Sequence, residues 1–492
     1  MKTAMIENRT ARLPWLTKVV YGTGDWGLAA FNTLRQIFYA IFLTDVVGLD
    51  PRLASFAAFI GVLWDAVNDP LVGVLSDKTR SRWGRRRPFL LIFAVPYGLA
   101  FLALWWTPPI HNQILLMVYV MLAYALSDTF QTLVIVPFHA LTPALTPDYD
   151  ERTSLAGYRM FFNFLASIAT AMGAPMIIDA VMRGGGTQQQ GYALAAMAFG
   201  TTAVVPYLLI FFTVRERPEA ERQAETITLR QTARIAWRNV PFRYATALYM
   251  LNWVTFDLLG IGLPYLLVYW VARGNLLLKV PGLGLPIESA VLGLMMVTAT
   301  LVLPFWIWLA KRLGKTTAYI IALALWAILL LCVPWVPQGA YTLTLVLAVA
   351  IGISVSAAHV LPDAIFPDVI EWSELRTGRR HEGVFYGAKN FVRKLTTAVA
   401  IFFTLQVLGW LGYKTPPEGA TQVTQPSSAL WGIRMLVGPI GAALLVLTIV
   451  VAWRYPLDKK RFDRVRRLLA HRQQRTARRR LAKLPASAPQ QT

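Results

Sequence analysis

The stretch WDAVNDPLVGVLSDKTRSRWGRRRP (64–88) places two carboxylates inside an apolar helix that ends in a dense basic loop. Asp65, Asn68 and Asp69 are spaced i, i+3 and i+4, so on a helix their side chains converge on one face within about one turn. Side chains held this closely can share one small ion. The flanking residues 56–62 and 70–75 are almost wholly apolar, as in a membrane-spanning helix.

A carboxylate at the centre of a membrane-spanning helix is costly, by about 2.5–3.5 kcal/mol on insertion scales. The alternative is that both are helix-end residues paired with basic neighbours. The basic residues from Arg80 onward mark the membrane edge better, because they follow Asp69 by about three helical turns. We therefore predict an ion site within the membrane. Two close carboxylates repel each other in a low dielectric, so Na⁺ and H⁺ should compete for this site.

The composition indicates a polytopic membrane protein. The 492 residues are 56% hydrophobic and only 15% charged, with a mean hydropathy of +0.48, whereas soluble proteins are about 25% charged. The net charge of +22 lies mostly between apolar runs, so it reports membrane topology and gives no reason to expect a nucleic-acid partner. About twelve apolar runs of about 20 residues are present. They begin near Val19, Leu53, Phe89, Ile114, Leu155, Ala193, Tyr244, Ala290, Ala318, Leu343, Val384 and Leu430.

Basic residues concentrate in alternate connections. Connections 78–87, 215–243, 311–315 and 376–380 and the tail after Arg454 are basic, while 107–113, 184–190 and 337–341 carry few or no Lys and Arg. The positive-inside rule therefore predicts a multi-pass protein of the cell inner (plasma) membrane with both termini cytoplasmic.

The polar interruption 214–241 divides the spans into two sets of six, and charged segments 75–86 and 309–315 occupy corresponding positions in the two halves. We predict an all-α integral membrane fold with two pseudo-symmetric six-helix bundles. The expected domains are 1–213 and 244–454, joined by a cytoplasmic linker at 214–243, and a basic cytoplasmic tail at 455–492. The tail either lies on the anionic inner leaflet or is solvated.

Polar residues inside the spans are the next candidates, because such residues face a bundle interior or a water-filled cavity. They are Asp25, Asn32 and Arg35 in the first span, Asp128, Gln131, Thr132 and His139 in the fourth, Arg159 in the fifth, and later Asp257, His359, Asp363, Lys389, Arg393 and Lys394. Of these, Lys394 is the most informative, since a lysine in one half can balance a carboxylate cluster in the other.

The sequence has no phosphate-binding glycine loop, no His/Cys zinc spacing and no GxSxG element. We therefore expect a transporter and no enzyme, with no cofactor beyond a coupling ion, Na⁺ or H⁺. An intramembrane enzyme that uses His139, His359 and Asp363 is the alternative from another class. The expected partners are a small-molecule solute and the lipid bilayer, and we expect a monomer.

The chain resembles the glycoside-pentoside-hexuronide:cation symporter family of the major facilitator superfamily, the family of melibiose permease. The likeness covers nearly the full length and omits only the basic tail. It is carried by YG (21–22), TDVVGL (44–49), WDAVNDP (64–70), SRWG (81–84), DERTSL (150–155), PDVIE (367–371), ELRTG (374–378), EG (382–383) and Lys394.

The resemblance implies a function and a set of site residues. The function is cation-coupled symport of a sugar or glycoside by alternating access. The cation site would fall on Asp65, Asn68, Asp69 and Thr132, with the carboxylates as the Na⁺ ligands if sodium is the coupling ion. The solute site would include Arg159 as the arginine near the sugar and Lys394 as the coupling lysine. Arg159→Lys should then impair solute binding and leave cation binding intact.

The chain departs from this family at the sugar ligands. Two aspartates of the family correspond to Ala29 and Ile135, and a tryptophan corresponds to His139. Displaced hydrogen-bonding groups on the same helical faces are available within one or two turns. The predicted substrate-binding set is therefore Asp25, Asn32, Asp128, Gln131, His139, Arg159 and Lys394.

A second reading comes from the same superfamily branch. Lysophospholipid transporters of that branch keep the carboxylate pair and the sequence Tyr158, Arg159, Met160 seen here. The alternative function is therefore a cation-coupled carrier of lysophospholipid or another amphiphile. A further prediction is a cytoplasmic gate, in which Asp77, Arg85 and Arg86 bridge helix ends when the carrier faces outward.

Overall fold

The computed structural model describes residues 13–146, 148–216, 237–377, 382–417, 420–457, 461–465, 467–469 and 471. Most of the predicted linker, at 217–236, and the end of the predicted tail, at 472–492, lie outside the described residues. Over the described ranges the regular structure is helical, apart from two isolated β-bridges.

Twelve long helices can be followed through the described part of the chain. They are α1 Gly24–Ile41, α2 Pro51–Lys78, α3 Arg87–Leu104, α4 Gln113–Leu145, α5 Tyr149–Arg183, α6 Gln188–Thr213, α7 Val240–Tyr265, α8 Ile287–Leu313, α9 Lys315–Cys332, α10 Tyr341–Thr377, α11 Glu382–Trp410 and α12 Gly441–Trp453. A short helix, Trp15–Gly22, precedes α1, and another, Ser427–Met435, leads through a π-helical turn into α12. Eleven of the predicted span starts lie within six residues of the start of a long helix, and the twelfth, Leu430, falls in the short helix that leads into α12.

Eleven of the helices in the described chain are long and apolar enough to cross a membrane. The exception is α1, whose apolar character is interrupted by Asp25, Asn32, Arg35 and Gln36. Despite these residues, α1 packs lengthwise against α5 and α6 and is mostly buried. It is a polar helix held inside a bundle of apolar ones.

Side-chain caps define where several helices begin. Asp50 accepts the backbone N–H of Arg52 at 2.9 Å before α2, and Pro51 occupies the first turn, where no intrahelical N–H partner is lost. Although partial burial opposes ionisation, hydrogen bonds from Arg52 hold the pKa of Asp50 below its usual range. Thr187 and Gln190 form a reciprocal capping box at α6.

The helices form two bundles. In the first, α1 packs on α5 and α6, and α4 packs on α2 and α3; in the second, α7 packs on α11 and α12, and α10 packs on α8 and α9. The bundles meet along α2 with α11, α5 with α8, and α1 with α7. The predicted two-bundle architecture is confirmed.

The two ends of the molecule carry different side chains, and we name each end after them. The tyrosine end contains Asp45, Tyr269 and Tyr413, and the arginine end contains Arg85 and Glu216. At the tyrosine end α1 continues as a π-helical segment, Phe42–Val46, and α7 continues as a π-helical segment, Leu266–Val271. The first helix of each bundle thus changes its winding at the same end.

Candidate functional site

The predicted carboxylate pair lies at the seam between the bundles. Lys394 of α11 places its Nζ 2.6 Å from Asp65 Oδ1 and 2.6 Å from Asp69 Oδ2, and also donates to the Asp65 carbonyl at 2.9 Å. Thr132 donates to Asp69 Oδ1 at 3.2 Å. The structure therefore brings together Lys394 and three of the four residues assigned to the cation site, and Asn68 is buried one turn from Asp65.

This cluster has the chemistry of a monovalent cation site. The lysine ammonium stands among oxygen ligands, as a small cation would, so an entering ion has to displace it. Within the described chain the Nδ2 of Asn68 has no hydrogen-bond partner. No group of three or more His, Cys, Asp or Glu among those residues could hold a metal ion. The predicted site thus depends on two carboxylates supplemented by neutral oxygens.

A cavity of about 390 Å³ opens beside the cluster, between the two bundles. Its lining combines polar side chains, including Asn32, Arg35, Gln36, Asp65, Asn163, Arg393 and Lys394, with apolar ones, including Phe164, Trp253, Phe256, Met295, Met296 and Leu303. Its size is within the range usual for small-molecule sites.

Asp128 is turned toward an arginine of its own bundle. Arg35 NH1 lies 3.3 Å from Asp128 Oδ1, and Asp128 Oδ2 is buried without a hydrogen-bond partner in the described chain. Gln131 donates to Asn32 Oδ1 at 3.1 Å. Of these four polar residues of the first bundle, Asn32 and Arg35 reach the cavity wall, as does Asp65.

Asp25 is likewise paired inside the first bundle. Arg159 grips it bidentately, with Nε 3.0 Å from Oδ2 and NH2 3.1 Å from Oδ1, and His139 Nε2 lies 3.6 Å from Oδ1. The described lining of the cavity includes none of these three residues. Their assignment to the solute site stays a prediction.

Sequence reasoning did not find the hydrogen-bonding centre at Asp257. Its carboxylate is wholly buried and is bound by Arg393 NH2 at 3.0 Å, by Thr397 Oγ1 at 2.9 Å, and by Gln36 Nε2 of the other bundle at 2.7 Å. Charge inside a span had marked Asp257 and Arg393 as polar positions. Gln36 was not marked in this way, because it is uncharged and follows Arg35 directly, so the sequence does not show that it contacts the other bundle.

Aromatic rings line the cavity beside this centre. His359 lies 5.3 Å from Trp253, 5.7 Å from Phe256 and 6.4 Å from Phe164, measured between ring centroids. The Arg393 guanidinium stacks over Trp253 at 4.0 Å. In the sequence these aromatic residues are indistinguishable from lipid-facing ones.

The predicted gate residues lie at the arginine end. The Glu216 carboxylate accepts the backbone N–H groups of Arg85 at 2.9 Å, Arg86 at 2.9 Å and Arg87 at 2.8 Å. The Arg86 guanidinium donates to the Ala140 carbonyl. The side chain of Asp77 lies outside the described residues, so the gate as a whole stays a prediction.

Comparison with known proteins places the chain among transporters. A family model described as MFS/sugar transport protein matches residues 20–459. A protein named Uncharacterized symporter sll1374 from Synechocystis is 29% identical, covering 94% of this chain and 98% of the relative. Sodium-dependent lysophosphatidylcholine symporter 1 from Homo sapiens is 26% identical, covering 92% and 88%.

Solved structures match the fold. The nucleoside transporter NupG superimposes with a TM-score of 0.58 at 12% identity, covering 89% of this chain and 97% of its own. A tetrameric peptide-transporter structure, PepTSo2, gives a TM-score of 0.60 at 13% identity, covering 92% and 98%. At these identities the likeness shows the arrangement of helices alone.

Proposed function

The chain belongs to the MFS/sugar transport protein family of the major facilitator superfamily, and from this premise we propose that it is a cation-coupled symporter that works by alternating access. It is a multi-pass membrane transporter and not an enzyme. The finer proposal, membership of the glycoside-pentoside-hexuronide:cation branch, rests on the motifs around Asp65 and Lys394.

The contact between Lys394 and the carboxylates carries the coupling proposal. Lys394 belongs to the second bundle, and Asp65 and Asp69 belong to the first, so the ion pair holds the bundles together at mid-height. A cation bound by Asp65, Asp69, Asn68 and Thr132 releases the ammonium and changes how the bundles attract each other. Ion occupancy thereby alters the balance between the two conformations, as coupling requires.

The mixed polar and apolar lining of the cavity favours an amphiphilic solute with a polar head and an apolar chain. Asp25 and Asp128, the displaced acceptors expected for a sugar, are both closed off by arginines. The family's two sugar-binding positions hold buried apolar residues, Ala29 and Ile135. The methionines and aromatic rings of the lining suit a flexible hydrocarbon chain. Relatives named for lysophosphatidylcholine agree with this proposal.

A sugar or glycoside is the second candidate. It is favoured by the description of the matching family as sugar transport proteins and by the amide and guanidinium groups of Asn32, Gln36 and Arg35 in the cavity lining. A glycoside with an apolar aglycone would contact both the polar and the apolar side chains of the lining.

The orientation in the membrane is also a proposal. Basic residues cluster at the arginine end, so by the positive-inside rule that end faces the cytoplasm and the tyrosine end faces outward. The cell inner membrane with cytoplasmic termini remains the proposed location.

Uptake into proteoliposomes tests the function. Uptake of labelled lysophosphatidylcholine is compared with uptake of a methyl galactoside under a sodium gradient, a pH gradient and no gradient. Albumin extracts the lysophospholipid that remains in the outer leaflet, so that only transported label is counted. We expect gradient-driven accumulation of the lysophospholipid. Accumulation of the galactoside alone would establish the sugar candidate, and equal uptake of either solute without a gradient would overturn coupling.

Two variants identify the ion site. Asp69→Asn removes one carboxylate of the pair and should abolish gradient-driven accumulation, while downhill exchange persists. Asp368→Asn is the matched control, because Asp368 pairs with Lys315 within the second bundle at 2.7 Å and should leave coupling intact. If Asp65→Asn and Asp69→Asn both still concentrate solute, the cation site is elsewhere.

A further inference from the structure

A second buried carboxylate lies at the bundle interface, at the tyrosine end. Asp45 sits in the π-helical segment after α1 and is 8% exposed. Its carboxylate accepts hydrogen bonds from the hydroxyl groups of Tyr269, of Tyr413 at 2.5 Å and of Thr44 at 2.7 Å. Asp45 and Thr44 belong to the first bundle, whereas both tyrosines belong to the second. The Asp45 lock, defined as Asp45 with Tyr269 and Tyr413, thus joins the bundles.

The lock differs from the other buried carboxylates in its partners. The buried Asp25, Asp128 and Asp257 each have an arginine partner. Among the described residues, no Lys or Arg forms an ion pair with Asp45. The titratable groups that face it are four tyrosines, from α6, α7 with its π-helical segment, and the turn after α11: Tyr192, Tyr265, Tyr269 and Tyr413.

Hydroxyl donors are therefore what make the burial of Asp45 tolerable. A buried carboxylate without a counter-charge is stable only when its oxygens are hydrogen-bonded. Bonds between a charged acceptor and neutral donors are stronger than those between neutral groups. Separating the bundles removes both tyrosine donors at once and admits water in their place.

Packing holds the donors in position. The rings of Tyr265 and Tyr269 each stand edge-on to Tyr413, with centroids 5.5 and 5.6 Å away and interplanar angles of 85°. Tyr265 also exchanges a hydrogen bond with Thr44 at 2.9 Å. All three rings are buried, so packing fixes the positions from which the Tyr269 and Tyr413 hydroxyl groups donate to Asp45.

The winding of the two helices brings the partners face to face. Asp45 comes from one π-helical segment, and Tyr269 comes from the other. A π-helical turn advances a side chain to a different face from the one an α-helix would give it, and such turns are frequent at functional sites. The irregularity occurs in both bundles where they touch.

We propose that the Asp45 lock is the outer gate of the transport cycle, which closes the tyrosine end and exchanges its tyrosine hydroxyls for water whenever that end opens. The proposal rests on alternating access. The hydrogen bonds from the neutral hydroxyls to the Asp45 carboxylate are strong while the interface excludes water. Once water reaches Asp45, it can replace the hydroxyls as the donor. Loss of the tyrosine hydroxyls should favour the state with an open tyrosine end.

The test measures access to the cavity from each side of the membrane. A reporter, Thr33→Cys, is placed on the cavity wall in a Cys332→Ser background, because Cys332 is exposed. A membrane-impermeant maleimide is applied to right-side-out and inside-out vesicles. Combining Tyr269→Phe with Tyr413→Phe should speed labelling from the tyrosine side about tenfold or more, since about 1.4 kcal/mol corresponds to a factor of ten.

The control removes an equally buried hydroxyl within one bundle. Tyr207 donates to the Gly24 carbonyl at 2.7 Å inside the first bundle, so Tyr207→Phe should leave the labelling rate from the tyrosine side unchanged. An unchanged rate in the double variant would overturn the lock. If the double variant fails to fold, Tyr413→Phe alone decides, with a smaller acceleration expected.

Failure of the lock and failure of the proposed function give different results. A wild-type protein that transports, combined with a double variant that labels at the wild-type rate, refutes the lock alone. A double variant that labels faster, combined with a wild-type protein that transports neither solute under any gradient, refutes the proposed function alone.

Discussion

The tyrosine end and the arginine end are built from the same helices, yet the ion pairs and hydrogen bonds described at each run in different directions. At the tyrosine end the contacts cross between bundles: Tyr413 with Asp45 at 2.5 Å, Gln406 with Ser55 at 2.9 Å, and Lys279 with Asp179 at 3.2 Å. At the arginine end the ion pairs Lys18–Glu151 and Lys315–Asp368 stay within one bundle. The structure is a carrier closed at its tyrosine end.

The difference between the two ends distinguishes contacts that stabilise one bundle from contacts that join the two bundles. Within a bundle, Asp25, Asp128, Asp257 and Asp368 are fixed by charged partners. Across the bundles at the tyrosine end, hydroxyl and amide donors predominate among the described contacts, and the Lys279–Asp179 ion pair is partly exposed and so weak. At that end, strong contacts hold each bundle together and weaker contacts join the two, whereas Lys394 joins them by charge at mid-height.

Lys394 offers the largest expected effect, because it joins the bundles midway between the two ends. Lys394→Met leaves Asp65 and Asp69 without their counter-charge. The loss should be about 2–3 kcal/mol, below that of a fully buried pair, because the Asp69 side chain is 40% exposed and solvent screens it. Thermal unfolding in detergent should show the loss, and saturating Na⁺ should restore part of it if Na⁺ binds the pair. Equal stability with and without Na⁺ would argue against a sodium site.

Glu216 tests the arginine end. Glu216→Gln removes the charge that attracts three backbone N–H groups at the start of α3, so the free energy of unfolding should fall by about 2 kcal/mol. Because these contacts lie within one bundle, the labelling rate of Thr33→Cys from the tyrosine side should stay unchanged. Faster labelling would contradict the distinction between the two ends.

Gln406 tests a neutral contact across the tyrosine end. Gln406→Ala removes the hydrogen bond to Ser55, and the expected loss is about 1 kcal/mol from the closed state alone. Cysteine labelling from the tyrosine side should accelerate by less than in the double tyrosine variant. Ser55→Ala should give the same result, and combining the two changes should add little.

The smallest effect is expected at the exposed ion pair of the tyrosine end. Lys279→Gln removes one partner of Asp179, which keeps Arg183 at 2.9 Å. A partly exposed pair contributes about 0.2–1 kcal/mol and is screened by salt. Labelling should therefore accelerate slightly at low ionic strength and match wild type at high ionic strength. An effect that is insensitive to salt would indicate packing as its cause.

Much of the fold could be predicted from the sequence because its signal is local. Apolar runs fix the spans, and spacing alone groups Asp65, Asn68 and Asp69. The approach of Lys394 to the pair was anticipated from charge balance, since a buried carboxylate cluster requires a cation. These predictions can be made without knowing how each helix is rotated about its axis or which helices it packs against.

The remaining site residues depend on helix rotation and distant partners. Arg35 and Arg159 could each have paired with Asp25 or Asp128, and only the packing of α1 against α4 and α5 decides between them. Glu216 acts on backbone amides, which leave no trace in side-chain patterns. Asp45 meets Tyr413 at a separation of 368 residues, beyond any periodic signal.

The polarity of α1 has a consequence for how the chain is assembled. Asp25 and Arg35 are costly in lipid until Arg159 and Asp128 arrive, and Arg159 follows Asp25 by 134 residues. At about 5–20 residues per second, synthesis of that interval takes roughly 7 to 27 seconds. During this delay α1 has no bundle to shelter it, so it waits at the insertion machinery or the membrane surface. The helix made first is thereby among the last of its bundle to be integrated, and α5 is the element that completes its insertion.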